Sequence, residues 1–402
     1  MASSLDRETA LELVKKGGTL LLLDVPQFTL LGIDTQVYSV GPNFKGIKML
    51  PPGPHFIYYC SSSKEGHEFS PTIGFFLTIH SFEIIVRKWC QREEQLIKVS
   101  EEEESRYCEM VRRMEFDQHL GPYPLDHFGN WKQLSCYISE STISRIEPVG
   151  AEISIAHESV LFDQEQKAEM DKWLSAQVNK SSFSVCLPEK TVKRRCFYIT
   201  IPKIVKQKNI TGEELTALNL DKTMLLKNIL MTNFGEDEDL LLGELQFSFI
   251  AFMMGQSLEA FIQWKDLVSL FFSCTEAPLR TRSQLFTKFI RVIYFQLKHG
   301  FHREQKGNIV DKGPSLFLDD DWFSKDIFLY RLCKEFFLLV LNAEVIDGDL
   351  LSLTRKLKKL LETTLGWDFV YMDAMLDEDD EFAPVVVPLN EATPMSHDGQ
   401  AS

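Results

Sequence analysis

GIDTQVYSVGPNFKGIKMLPPGPHFIYY, residues 32–59, sets two opposed signals side by side. Its last residues begin a run of aromatic and β-branched side chains, whereas GPNFKGIKMLPPGPHF packs three Gly and four Pro into sixteen positions. Glycine frees the backbone and proline fixes φ, so this stretch predicts a rigid, turn-rich loop rather than strand interior. Working outward, LLLLDV (20–25), HFIYYC (55–60), IGFFLTI (73–79) and EIIVRKW (83–89) recur between Gly, Pro, Ser and Asn clusters, the last two starting ten positions apart. That rhythm predicts a β-sandwich or barrel. Gly32, Asp34, Gly41, Pro42, Gly46, Pro51, Pro52 and Gly53 are the candidate residues of an ordered N-terminal surface, with Asp34 placed to bond local N–H groups. A turn framework with no partner is the alternative reading of the same residues.

From residue 100 the period changes. Ser100 with Glu103 spells a capping box, and Tyr107, Val111 and Met114 follow at helical spacing before Gly121-Pro122. A second helix is expected after Asn130, with Trp131, Leu134 and Ile138 on one face, ending by Pro148. Residues 156–208 carry no sustained period apart from CFYITIP, which can form one short strand. Thr211 and Glu214 then open a chain of about six helices, with Gly255 and Ser257 as a stop and a new N-cap. The expected organisation is α+β: residues 1–155 a β-rich, sandwich-like domain with added helices, 156–208 a linker or embellishment, 209–370 an all-α domain, and 371–402 a tail.

Fifty-eight Asp and Glu against forty-three Lys and Arg give a formal charge of -15, which opposes nonspecific phosphate binding across the whole surface. Ten carboxylates and no Lys or Arg lie in residues 360–402, while residues 187–208 hold seven bases and only Glu189. The run KTVKRR within that basic segment is compatible with a nuclear-import patch, an RNA contact or a solvated linker. Eight cysteines never come closer than ten positions, so no CxxC pair exists, and they read as reduced thiols. No phosphate loop, HExxH, EF-hand loop or GxSxG elbow occurs, which lowers the odds of an enzyme without excluding a spatial triad. His299 and His302 read as a surface cap rather than metal ligands, and GEDEDLLLGEL as a helix start rather than a calcium loop. No catalytic residue, cofactor, metal or membrane span is expected; the compartment is cytosol, nucleus or both.

Residues 32–59 closely resemble the a-one alpha-two repression (AAR-two) family of splicing factors, and the likeness recurs in order. It continues through GFFLTIH, LGPYPLDHFGNWKQLSCYISESTISRIEP, LLGELQFSFIAFMMGQSLEAFIQWKDLVSLF, GWDFVYMDAM and APVVVPL, and thins across Arg92–Asp117 and Ala156–Lys208. The resemblance implies a β-rich domain followed by a VHS-like helical one, and a non-enzymatic role in assembling the U5 small nuclear ribonucleoprotein. The implied partners are U5 proteins, above all the scaffold pre-mRNA-processing factor eight, bound through its RNase H-like and Jab/MPN-like domains. Such a factor keeps the Brr-two helicase off a cytoplasmic precursor until it leaves in the nucleus. A direct RNA-binding splicing component using residues 190–208 is the competing reading.

The tail carries the candidate partner-binding residues. Trp367 and Phe369 can clamp it to the helical domain, after which Ala383, Pro384, Val385, Val386, Val387, Pro388 and Leu389 place three valines between two prolines. Such a segment can add one strand to an exposed edge. The resemblance suggests the scaffold as receiver, and pairing within the chain's own N-terminal sheet is the alternative.

Overall fold

A computed structural model describes residue 12 and residues 16–61, 70–155, 195–204, 206, 208, 210–305, 328–369 and 385–386. These fall into two compact units. One takes the described residues up to Thr200 together with Asp239–Lys265; the other takes Ile201–Glu238, Asp266–Gln305 and the described residues from 328 onward.

In the first unit two five-stranded sheets face each other. The strands are β1 (Gly18–Leu23), β2 (Leu30–Ile33), β3 (Gln36–Ser39), β4 (Gly46–Leu50), β5 (Gly53–Cys60), β6 (Ile73–Ile79), β7 (Ile84–Cys90), β8 (Gln95–Lys98), β9 (Leu120–Pro122) and β10 (Ile153–Ser154). One sheet runs β8-β7-β1-β4-β9 and the other β10-β6-β5-β2-β3. The apolar run GTLLLL does not alternate because β1 is central and covered on both sides. Leu20 and Leu22 meet Ile33, Ile57, Leu77 and Trp89 between the sheets, while Leu21 and Leu23 meet Val86 and Leu120, with Tyr107 and Val111 of helix α1 (Glu101–Arg112) against them. Ser100 caps α1 as the sequence indicates, its Oγ accepting from the Glu103 N–H.

Two expectations need correction here. The stretch read as a rigid loop contains strand β4 and the start of β5; the chain passes from one sheet to the other between them at Pro51-Pro52, and Gly46 sits at φ 139° where β4 meets β1. The helix expected after Asn130 is two helices, α2 (Leu125–Ser135) and α3 (Glu140–Ile146), because Ser139 and Thr142 form a capping box that restarts the chain.

Helices α4 (Gly212–Leu220), α5 (Thr223–Phe234), α6 (Glu238–Met253), α7 (Leu258–Phe272), α8 (Ser283–Gln305), α9 (Phe328–Leu341) and α10 (Gly348–Leu365) follow. Buried from Leu241 to Met253, α6 lies mostly in the first unit, where Phe247 stacks on Phe76 of β6 at 4.3 Å. Helix α7 divides between the units after Lys265. In the second unit Phe271, Phe286, Phe289 and Phe336 form an aromatic core, with Phe271 on Phe289 at 4.3 Å. Asp347 caps α10 by accepting from the Asp349 and Leu350 N–H groups, and Gly366 ends it in the left-handed region. The result is a β-rich region followed by a helical one, an α+β chain.

Candidate functional site

Asp34 follows β2 with φ 53°, a conformation that Asp tolerates better than most side chains. Its backbone N–H donates to the Phe56 carbonyl and its Oδ1 accepts from the Phe56 N–H at 2.9 Å, so the turn is tied to β5. Its Oδ2 accepts from the Tyr123 hydroxyl at 2.5 Å and faces His55 Nδ1 at 2.7 Å. His55 Nε2 lies 2.7 Å from the Pro51 carbonyl, which can only accept, so both ring nitrogens face acceptors, an arrangement that favours the protonated imidazole. Burial works against that charge, but the Asp34 carboxylate prevails, and the His55 pKa stands above its ordinary value. Burial, reinforced by the adjacent Asp34 charge, pushes the Tyr123 hydroxyl far above its own.

Trp131 closes the arrangement. Its ring lies 6.4 Å from His55 at an interplanar angle of 12°, and its indole N–H donates to the Pro54 carbonyl at 2.8 Å. Thus GID, PPGPHF and GPYP meet at one carboxylate, and GNW packs on the His55 that faces it. His55 is fully buried and Asp34 is 1% exposed, so no substrate reaches them. The cluster locks the β2–β5 connection and α2 onto one frame.

Glu244 of α6 is a further buried carboxylate in this unit. Its Oε1 accepts from the Ile199 N–H at 2.9 Å and from Gln263 Nε2 at 2.8 Å, and its Oε2 pairs with Arg145. Burial raises its pKa despite those bonds. CFYITIP therefore does not form the short strand expected of it: residues 195–200 run without regular structure, held by Glu244 and by the Phe197 N–H donating to the Ile146 carbonyl. A lone carboxylate amid LLLGELQFSFIAFM was the signal that could have marked Glu244.

Of the eight residues expected at an N-terminal surface, Gly41, Pro42 and Pro52 are exposed and Gly53 is partly so. Gly32, Asp34, Gly46 and Pro51 are buried, because Gly32 lies under the Tyr58 ring, Asp34 anchors the cluster, Gly46 abuts the Leu20 carbonyl and Pro51 supplies an acceptor to His55. His55 and Tyr123, the partners of Asp34, stand 21 and 89 positions away and no periodicity marks them.

At the other end of the chain, Trp367 and Phe369 are buried in the second unit against Tyr330, whose hydroxyl donates to the Asp368 carbonyl. Val385 and Val386 form strand β12, parallel to β11 (Val345–Ile346), with Val385 opposite Val345 and Val386 opposite Ile346. The receiver within the chain is thus an edge beside α10 rather than an N-terminal strand. Ala383, Pro384, Val387, Pro388 and Leu389 lie outside the described residues, as do Lys190, Lys193 and Arg194 of the basic segment. Its Arg195 pairs with Glu259 at 2.9 Å. Among the described residues no group of three or more His, Cys, Asp or Glu is placed to hold a metal ion, and no helix is long and apolar enough to cross a membrane.

Comparison with known proteins covers both regions. A family model described as the AAR2 N-terminal domain matches residues 16–148, and one described as the AAR2 C-terminal repeat region matches residues 198–370. The chain is similar to the curated Protein AAR2 homolog of Macaca fascicularis, 31% identical over 406 residues, 98% of this chain and 99% of that protein. The Homo sapiens homolog is 31% identical over 407 residues, again covering 98% and 99%. The Caenorhabditis elegans homolog is 29% identical over 381 residues, 92% of this chain and 99% of its own.

Proposed function

The chain belongs to the AAR2 family, and we propose that it is a non-enzymatic assembly factor of the U5 small nuclear ribonucleoprotein in pre-mRNA splicing. In this reading it binds the scaffold pre-mRNA-processing factor eight through that protein's RNase H-like and Jab/MPN-like domains, and delays docking of the Brr-two helicase until the particle matures. It works first in the cytoplasm and is released in the nucleus. The observation that carries the proposal is similarity along nearly the full length of both proteins, spanning the sheets, the helices and the tail.

The tail is the proposed binding element. A parallel pairing of two residues is far shorter than a self-sustaining sheet, so β12 can exchange the β11 edge for an edge on the scaffold. The test is retention of the chain by the scaffold's two C-terminal domains, with and without residues 382–389. The deletion is expected to weaken binding at least tenfold, about 1.4 kcal/mol, while the helices melt unchanged. Undiminished binding removes the tail from the proposal. No binding by the intact chain, with RNA bound instead along a steep negative salt slope, overturns it.

A further inference from the structure

Helix α10 carries Ser352, Arg355, Lys356, Lys359 and Thr363 along one exposed stripe, the spacing of one helical face. Its remaining basic residue, Lys358, is buried and pairs with Glu362 at 3.0 Å. Arg355, Lys356 and Lys359 make no ion pair with a described residue, which leaves a positive strip across the middle of the helix.

The chain that leaves this helix is anchored at both ends. Phe369 is 2% exposed, held between Tyr330 and Phe337 just beyond the end of α10. Val385 pairs with Val345, three positions before the helix starts. The fifteen residues between these anchors, 370–384, must therefore span the distance from the end of α10 to the strand edge before its start. The helix has 18 residues, about 27 Å at 1.5 Å each. Fifteen residues reach at most about 50 Å when extended and average roughly 21 Å as a free coil. That span is within reach and tethers the segment close to the helix. It contains Asp373, Asp377, Glu378, Asp379, Asp380 and Glu381, and no Lys or Arg.

We propose that the exposed face of α10 formed by Arg355, Lys356 and Lys359 docks the acidic segment 377–381 of the same chain. Each exposed ion pair is weak alone, but tethering at both ends supplies a local concentration of the order of millimolar, and several pairs act together. Docked this way, the segment covers the basic face and fixes where β12 begins. The inference rests on the anchors and the charges, and stands whether or not the tail binds a scaffold.

A carbodiimide, which joins a carboxylate to an amine in direct contact, reads the contact in the full-length protein. We expect intrachain links from Lys356 or Lys359 to residues 377–381 at low salt, and their loss near about 1 M salt, where the screening length is roughly 3 Å. Lys48 and Asp117, 2.6 Å apart, supply the control link. Recovery of the control alone, or links only between two copies of the chain, overturns the proposal. The triple variant Arg355→Glu, Lys356→Glu, Lys359→Glu adds an independent readout: cleavage within 373–381 by an Asp-specific protease is expected to quicken several-fold, and an unchanged rate with intact helical melting counts against docking.

Discussion

One carboxylate sets the chemistry of the N-terminal fold at the scale of single residues. Asp34 takes hydrogen bonds from the Phe56 N–H, the His55 ring and the Tyr123 hydroxyl, all buried. Asp34 was legible as a local capper, since Asp beside a turn bonds nearby N–H groups. Its distant partners were not, because only the closed fold brings residues 55 and 123 to it. The His55 pKa is raised in the folded chain, so its contribution to stability is fully present below the unfolded value of about 6.5 and is lost as pH rises through the folded one. We expect urea denaturation to show stability falling as pH climbs above about 6.5. Asp34→Asn should remove that slope, because burial then favours the neutral imidazole, and should cost about 1–3 kcal/mol through the hydrogen bonds it weakens. Tyr123→Phe, which removes one donor and keeps the pair, should cost about 1–3 kcal/mol and keep the slope. Equal slopes in the intact chain and Asp34→Asn would refute the buried ion pair.

Elements announced themselves where one signal acted alone. Strands β1, β5, β6 and β7 are apolar runs whose residues fill one core cluster or two, and Thr211 caps α4 with its Oγ1 accepting from the Glu214 N–H. Strand β4 was hidden because its glycine and the prolines after it speak for a turn, although Gly46 serves the pairing itself. A Cβ there would stand 2.0 Å from the Leu20 carbonyl oxygen, whereas at Gly53, φ 129°, it would meet open space. Gly53→Ala therefore carries backbone strain alone, of order 1–3 kcal/mol. Gly46→Ala adds a backbone collision between β4 and β1 and should destabilise by clearly more, lowering the melting temperature further than its counterpart. Equal losses at the two positions would place the cost in φ rather than in the packing of the sheet.

Across the whole molecule, chain order and spatial order part company. The sequence divides naturally at residues 156–208, where periodicity lapses, and the regions on either side are each apolar enough to suggest separate cores. Yet α6, coded well after that lapse, lies with the sheets: Phe247 stacks on Phe76, Gln246 accepts from the Tyr137 N–H at 2.7 Å, and Glu244 holds Arg145. Nothing local in LLLGELQFSFIAFM says which surface will bury it; an all-round apolar helix states only that something must. A protease is expected to cut first between about residues 156 and 211, because that sequence offers no pattern able to bury a face. A chain built from two independent domains would then separate into a β fragment and a helical one. Here the cut leaves α6 and the start of α7 as part of the first unit's core, so the nicked halves should elute together in native gel filtration and part only in denaturant. Separation without denaturant, with the N-terminal fragment still folded, would show that the sheets do not need α6. A first cut within residues 240–272 would deny the division itself.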